Sequence, residues 1–362
     1  MKFGIFLPNG RNGYIISRAS PQYSPTFEHN KAIAIEAERQ GFQMILSMMK
    51  YRGFGGETGF WDECLETFTL MGGLAAVTSK VELYPSVTLL AHHPAVVARM
   101  VATIDDISGG RCGLNIVTGW NRPEYAQMGL WRGDDYFGQR YEYAREYVQI
   151  LKQLWHNGAA TCHTEHFTLE DCHCYPVPRH QIPLVSAGQS DAGFQFVAEY
   201  ADESFMVADR WHLKEKVDRL KAAGERTGRE VGGYALFQII AAGTQNEATD
   251  VQRRIVEGID LTALGNMLDS ASLDSNKGGS SEHHLEGLSR TPEQGHGAFM
   301  SIPTICGSYE RVAEQLDEIV AESGIDGCLF SFPDFVEGIR SFGEHIYPRL
   351  SCTTALANAA AG

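Results

Sequence analysis

Short runs of apolar residues alternate along the chain with segments whose apolar residues recur at helical spacing. The runs are rich in β-branched and aliphatic residues and end in glycine or polar residues, which is typical of strands buried on both faces. Eight strands are predicted in this way, at Phe3–Leu7, Gln43–Met48, Val81–Thr88, Cys112–Thr118, Pro183–Ala187, Glu203–Val207, Gly233–Ala242 and Gly327–Phe332. Eight parallel strands are the number that closes a barrel.

The segments between the strands predict amphipathic helices. Apolar residues recur at i, i+3, i+4 and i+7, or at i, i+4, i+7 and i+8, in two of them: Tyr147, Ile150, Leu151 and Leu154, and Val312, Leu316, Ile319 and Val320. Strand–helix alternation requires parallel strands with right-handed crossovers. A doubly wound open sheet would share this pattern, but no G-x-G-x-x-G motif follows the first strand. We therefore predict an α/β fold, a (β/α)8 TIM barrel with insertions.

Three segments depart from the alternation. We expect residues 1–350 to form a single barrel with insertions at about 156–182 and 263–302. The first insertion has no helical period, and the second contains Gly278–Ser281 and Thr291–Pro292. Loops of this length are commonly functional or mobile. The alanine-rich residues 351–362 predict a disordered tail.

Charge and composition exclude several classes of function. The 362 residues carry a formal charge of −15 without a basic stripe, which argues against a nucleic-acid partner. No apolar run approaches the roughly 20 residues of a membrane span. The first residues predict a strand rather than a signal peptide, and eight cysteines in such a chain indicate reduced thiols and a cytoplasmic protein.

The segment Leu114–Trp120 ends a predicted buried strand in a polar, glycine-containing loop. In a barrel, polar residues at this end of a strand form the active site. Asn115 would hydrogen-bond a planar heterocycle or a bound dioxygen, or else cap neighbouring backbone. Glu124, shortly afterwards, would accept from a ligand N–H or cap a loop. Spacing leaves both alternatives open.

The segment Ser186–Gly193 predicts an anion site. It follows a buried run and opens a helix, so that free N–H groups at the helix N-terminus become accessible through glycine. Ser190 would donate its hydroxyl to a phosphate, or simply cap the helix. Arg140 and Tyr141 could contact the same phosphate; alternatively they form a surface salt bridge and a core-edge aromatic.

A cluster of cysteines and histidines invites comparison with zinc sites. Its members are Cys162, His163, His166, Cys172, His173 and Cys174. Paired C-x-x-C knuckles are missing, so a histidine-rich hairpin without metal is favoured. His92 and His93 follow the third predicted strand; we expect one to line a pocket and the other to be exposed.

Several stretches resemble one known family. They are Pro21–Tyr23, Pro25–Phe27, Leu46–Met48, Arg52–Gly56, Gly73–Ser79, Val97–Met100, Ala102–Asp105, Val117–Trp120, Gly133–Phe137, Ala187–Gly193 and Phe342–Glu344. Together they resemble the bacterial luciferase-like flavin monooxygenases over residues 1 to about 350. The likeness is greatest to members that oxidatively open the pyrimidine ring of uracil or thymine to a ureidoacrylate-type product.

The resemblance implies a barrel that binds FMN, as FMNH2, at its carboxyl-end face and reacts with O2. It also implies a separate NAD(P)H:flavin reductase as the source of FMNH2, and a homo-oligomer, either dimer or tetramer. The residues it assigns to the flavin are Met49, Lys50, Asn115, Glu124, Arg140, Tyr141 and Ser190. The catalytic residues it assigns are Asn115 and Ser86, which flank the oxygen; no metal is implied.

Two positions depart from the pattern of the members that this chain most resembles. Ser86 stands where threonine is expected, so a hydroxyl remains while a methyl is lost. The stretch Ala91–Pro94 replaces an apolar, proline-rich turn with His92 and His93. The alternative is therefore a related two-component monooxygenase that acts on a sulfone, a sulfonate, a halogenated ring or another heterocycle or amide. A flavin-binding protein without oxygenase activity is the alternative from another class.

Overall fold

A computed structural model describes residues 1–274 and 296–352 of the chain. The strands in this part are β1 (Lys2–Leu7), β2 (Met44–Ser47), β3 (Glu82–Tyr84), β4 (Ser86–Thr88), β5 (Leu114–Val117), β6 (Ala159–His163), β7 (Thr168–His173), β8 (Leu184–Ser186), β9 (Glu203–Met206), β10 (Gly232–Ala242), β11 (Thr304–Ser308) and β12 (Gly327–Ser331). The helices are α1 (Phe27–Arg39), α2 (Thr67–Val77), α3 (Pro94–Ser108), α4 (Arg122–Ala126), α5 (Tyr136–Asn157), α6 (Asp191–Tyr200), α7 (Arg210–Thr227), α8 (Gln245–Glu257), α9 (Leu261–Ser272), α10 (Tyr309–Ser323) and α11 (Phe335–Ser341).

Parallel pairing arranges the main sheet in the order β3-β2-β1-β12-β10-β9-β8-β5-β4. The two ends of this order, β3 and β4, are halves of one strand divided at Pro85. Proline has no N–H for the ladder, yet its carbonyl still accepts from the Asn115 N–H at 2.9 Å, and Leu83 bridges to Cys112. The sheet therefore closes on itself as an eight-stranded barrel, and the predicted (β/α)8 fold is confirmed.

All eight predicted strands are present, counting β3 and β4 as one. The strand β11 was not predicted; it pairs with β10 outside the barrel order. The segment 156–182 contains the antiparallel hairpin of β6 and β7, as its composition suggested. The apolar positions of α5 and α10 face the core, with Val320 only partly buried.

Two other predictions fall partly outside the described residues. The insertion at 263–302 begins within α9 and ends in a short 3₁₀ turn at His296–Phe299, while 275–295 lie outside the described part. In the predicted tail, residues 353–362 also lie outside it. Among the helices of the described ranges, none combines the length and apolar character needed to cross a bilayer.

Side chains that meet across the barrel reveal which residues point inward. The rings of Phe6 and Phe205 lie 5.3 Å apart, although β12 and β10 separate their strands in the sheet. Their contact must therefore pass through the barrel interior. Strand registers pair residues with the same orientation, so Leu46, opposite Phe6, also points inward.

The same register extends to the carboxyl end of the barrel. Leu46 pairs with Tyr84, Ser86 lies two residues further along the strand, and Ser86 pairs with Asn115. Because alternate residues of a strand share a face, Ser86 and Asn115 both point into the mouth of the barrel. Ile116, the next residue, points outward toward the helices.

Candidate active site

A buried polar network joins the predicted catalytic residues at the barrel mouth. The Nδ2 of Asn115 donates to the Oγ of Ser86 at 2.7 Å, and that hydroxyl donates to the Ser47 carbonyl. The backbone N–H of Ser86 is fixed in turn by the Thr67 hydroxyl at 3.1 Å. With its Nδ2 held in this way, the amide of Asn115 has one possible orientation.

The other side of the same amide is unsatisfied. Asn115 is 4% exposed, and within the described part of the chain its Oδ1 has no hydrogen-bond partner. A buried acceptor without a partner costs about 1–3 kcal/mol, and such atoms in native structures require an explanation. A ligand group that donates a hydrogen bond at the barrel mouth would satisfy it.

A buried ion pair lies close to this network. The Nζ of Lys50 and the Oε2 of Glu124 are 3.0 Å apart, and both side chains are buried. The Tyr51 N–H donates to the second carboxylate oxygen at 2.6 Å. Because an unpaired charge here would be strongly destabilising, the two residues form one unit. Half-buried Met49 precedes Lys50 after β2.

Aromatic rings surround the ammonium of this pair. The Lys50 Nζ lies 4.9 Å from the ring centroids of Phe54 and Trp120, and 5.9 Å from that of Trp61. Rings at this distance stabilise a cation through their negative faces. Trp120 also lines the neighbouring pocket, so the ion pair and the pocket share a wall.

A pocket that is open to solvent lies between β5, α5 and the loop that follows β8. Its lining comprises Ile116, Val117, Thr118, Gly119, Trp120, Arg140, Tyr141, Ser186, Ala187, Gly188 and Asp274. Ile116 and Ser186 are register partners. The strand β5 thus has Asn115 on the inner side of the barrel wall and this pocket on the outer side.

The N-terminus of α6 adjoins the pocket. Ser190 is its N-cap, with its hydroxyl accepting from the Gly193 N–H at 3.2 Å, and the contact of this hydroxyl with a phosphate stays a prediction. A β-carbon on Gly188 would overlap the Tyr141 hydroxyl, which lies directly against this loop. Close approach of a phenol to glycine backbone at a helix N-terminus is suited to an anion. Ser190 itself does not line the pocket.

The sequence left open that Arg140 forms a salt bridge at the surface. The structure shows a buried salt bridge instead. The Arg140 Nη1 lies 3.1 Å from the Oδ2 of Asp274, and both side chains are almost fully buried. The same nitrogen donates to the Gly119 carbonyl at 3.4 Å. Asp274 was missed because it lies 134 residues further along the chain, in a segment without a recognisable motif.

The two histidines after β4 have different environments. His93 is exposed, and its Nδ1 accepts from the Ala95 N–H at the start of α3. His92 is half-buried, with its ring 5.8 Å from Phe68 and 6.4 Å from Tyr51. Burial lowers the pKa of His92 from its usual range, so the ring is neutral at pH 7.

The hairpin of β6 and β7 pairs its histidines with its own carboxylates. His163 lies 2.9 Å from Glu170, and His173 lies 3.1 Å from Asp171. In residues 1–274 and 296–352 no group of three or more His, Cys, Asp or Glu side chains is arranged to hold a metal. All eight cysteines of the chain are free thiols.

Curated relatives cover almost the whole chain. The pyrimidine monooxygenase RutA of Bradyrhizobium sp. (strain BTAi1) is 48% identical over 360 residues, which is 98% of each chain. The protein of the same name from Acinetobacter baylyi is 46% identical over 355 residues, covering 97% of this chain and 95% of its own.

Solved structures share the fold at low sequence identity. Riboflavin lyase (RcaE) matches with a TM-score of 0.82 at 19% identity, covering 96% of this chain and 90% of its own. Long-chain alkane monooxygenase (LadA) matches with a TM-score of 0.79 at 18% identity, covering 98% and 92%. The family model described as luciferase-like monooxygenase matches residues 1–327. The chain belongs to the luciferase-like monooxygenase family.

Proposed function

We propose that this enzyme uses FMNH2 and O2 to open the pyrimidine ring of uracil or thymine, giving a ureidoacrylate-type product. For uracil the balance is uracil + O2 + FMNH2 + NADH + H⁺ → ureidoacrylic acid + FMN + NAD⁺ + H2O, so that NADH is consumed as a second two-electron donor and the other oxygen atom leaves as water. One observation carries the proposal: the buried Asn115 amide, fixed by Ser86, has an oxygen at the barrel mouth that no group of the described residues satisfies. This group lies on the other side of β5 from the pocket that Arg140 and Tyr141 line. A ligand with a ring and a phosphate suits that arrangement.

The residues around the pocket fit FMN. Arg140, Tyr141 and the N-terminus of α6 would hold its phosphate, since all three offer donors beside glycine backbone. Met49 and the Lys50–Glu124 pair would contact the ring. Because this pair is rigidly held among aromatic side chains, it would orient the ring without reorganising.

When bound, reduced flavin supplies the electrons that activate dioxygen; the protein supplies position and a dry site. Asn115 would hold the oxygen-derived group and the substrate in one geometry. Ser86 would act through Asn115, because its hydroxyl holds the amide nitrogen. Fixed dipoles of this kind stabilise developing charge at little reorganisation cost.

The substrate class comes from the relatives' name and from the chemistry of the site. Two relatives at 46–48% identity are named pyrimidine monooxygenases. A pyrimidine ring has both N–H donors and carbonyl acceptors, and a ring N–H would satisfy the free oxygen of Asn115. A sulfone or an alkanesulfonate has no such donor.

An isotope experiment tests the proposal. Ureidoacrylate has the composition of uracil plus water, so product mass alone does not separate oxygenation from hydrolysis. We expect uracil to be consumed only with a flavin reductase, NADH and FMN present, and the product to carry ¹⁸O from ¹⁸O2. Label that enters only from H2¹⁸O would contradict the proposal.

The same assay separates the alternative substrates. The position of the His92 ring beside the barrel mouth favours a different substrate. Unchanged uracil together with oxidation of a sulfone, a sulfonate or a halogenated ring would replace the pyrimidine while leaving the flavin chemistry in place. Supply of FMNH2 by a separate reductase, assembly as a dimer or tetramer, and a cytoplasmic location belong to the same proposal.

A further inference from the structure

The arginine in the pocket already has an anion bound to it. The Oδ2 of Asp274 lies 3.1 Å from the Arg140 Nη1, and both residues line the pocket. The side chains are 6% and 1% exposed for Arg140 and Asp274, respectively. The Asp274 carboxylate is therefore bound to the same guanidinium that a phosphate would contact.

We infer that Asp274 is a built-in competitor for the phosphate of FMN, and that it limits the affinity of the enzyme for flavin. The inference rests on the proposed function, in which this pocket takes the phosphate. A buried guanidinium without a partner would be costly, so Asp274 neutralises it in the absence of ligand. A phosphate carries more negative charge and three acceptor oxygens, so it can replace the carboxylate.

Competition follows from the local charges whether or not Asp274 moves. If it leaves Arg140, part of the binding free energy is used to break a buried, charge-assisted contact. If it stays, two anions share one guanidinium and repel each other in a poorly solvated pocket. The Nε of Arg140 is buried and without a partner in the described chain, so one further donor remains available to an incoming anion.

A limited affinity suits an enzyme that receives its flavin from another protein. FMNH2 must enter, and FMN must leave, in every catalytic cycle of a two-component system. Asp274 would weaken the contact to the phosphate while leaving the ring-binding residues unchanged. It is thus a residue that sets affinity and specificity for the phosphorylated flavin.

The test compares FMN with riboflavin, which lacks the phosphate, on the full-length protein. Asp274→Asn removes the competing charge and nearly preserves the shape of the side chain. We expect Asp274→Asn to bind FMN about tenfold more tightly, in line with the removal of one buried charged contact. Riboflavin affinity should remain unchanged. Asp269→Asn, an exposed residue of α9, is the matched control and should alter neither affinity.

Unchanged or weaker FMN binding by a folded Asp274→Asn protein would overturn the inference, as would an equal gain for riboflavin. If that protein does not fold, Asp274→Ser makes the same comparison with room for water around the guanidinium. Failure of the proposed function looks different: the wild-type protein would then bind neither FMN nor riboflavin, or would leave every candidate substrate unchanged with flavin bound.

Discussion

The Asn115 side chain has two ends with different roles. Its nitrogen is fixed by Ser86, and its buried oxygen has no partner within the described residues. Such an arrangement costs stability and therefore indicates a ligand-binding role. The backbone of Asn115 is part of the barrel wall, so the amide is presented by a rigid element rather than by a loop.

Removal of this amide should reduce turnover more than flavin binding. We expect Asn115→Ala to lower kcat roughly 100- to 1,000-fold, the usual effect of losing one preorganised hydrogen-bonding group in a buried site, while the Kd for FMN changes less than about threefold. Stopped-flow turnover and flavin titration measure the two quantities. Ser86→Thr, which keeps the hydroxyl, is the control and should retain most activity. Equal losses in kcat and FMN affinity would mean that Asn115 only contacts the flavin and has no separate role in turnover.

At the residue scale, the sequence predicted which polar residues lie at the ends of the strands. It did not predict which side chains pair with each other. A polar residue within a short apolar run identifies Asn115 from sequence alone, because few environments tolerate it there. The pairing of Lys50 with Glu124 joins residues 74 positions apart and depends on the barrel bringing two loops together. No sequence pattern around Asp274 predicts a function, because its role depends on its position beside Arg140 in the fold.

At the element scale, the turn from β8 into α6 combines strand end, glycine and helix cap. Ser186 ends the strand, Ser190 caps the helix, and Gly188 lies between them against the Tyr141 hydroxyl. The turn therefore sets the distance between the phenol on α5 and the free N–H groups of α6. Any side chain at position 188 would push these two elements apart.

Gly188→Ala should accordingly damage the anion site. Its β-carbon would overlap the Tyr141 hydroxyl and lie 3.0 Å from the Gly193 Cα. Overpacking of this kind costs about 1–3 kcal/mol, and we expect FMN affinity to fall at least about tenfold. Gly72→Ala within α2, where no heavy atom lies within 4 Å, is the control; it should stabilise the protein by up to about 1 kcal/mol. Thermal unfolding and FMN titration provide the measurements. Unimpaired FMN binding by Gly188→Ala would show that the phosphate lies elsewhere.

The elements that sequence predicted well are those with a single strong pattern. Buried parallel strands read as continuous apolar runs, and all eight were identified. The strand β11, Thr304–Ser308, mixes polar and apolar residues because it lies outside the barrel, and its pattern resembles a loop. The split of one strand at Pro85 was also missed, since residues typical of strands lie on both sides of it.

On the scale of the whole molecule, the two ends of the barrel have different tasks. Polar groups at the carboxyl end form the candidate active site, whereas the opposite end contains a half-buried carboxyl, Glu203, at the start of β9. Burial raises the pKa of Glu203 to about 7; the negative charges of Asp326 and Glu82 raise it further, whereas the positive charge of Lys2 lowers it. A carboxyl with a raised pKa at this end of a barrel bears on stability rather than on chemistry.

Glu203 should make the protein less stable as the pH rises from about 4.5 to 7. In that range the unfolded chain releases the proton of this carboxyl while the folded chain retains it, so ionisation favours unfolding. With a usual pKa of 4.5 and a folded value of about 7, the loss amounts to about 3 kcal/mol and is complete above pH 7. Glu203→Gln removes the titration but keeps a polar side chain beside Tyr234. The free energy of unfolding should be measured in urea at pH 5 and at pH 8 for both proteins. Between these pH values we expect the variant to become more stable relative to the wild-type protein by most of this amount. Other titrating groups cancel in the difference. Parallel pH profiles for the two proteins would mean that Glu203 is already ionised in the folded barrel at pH 5.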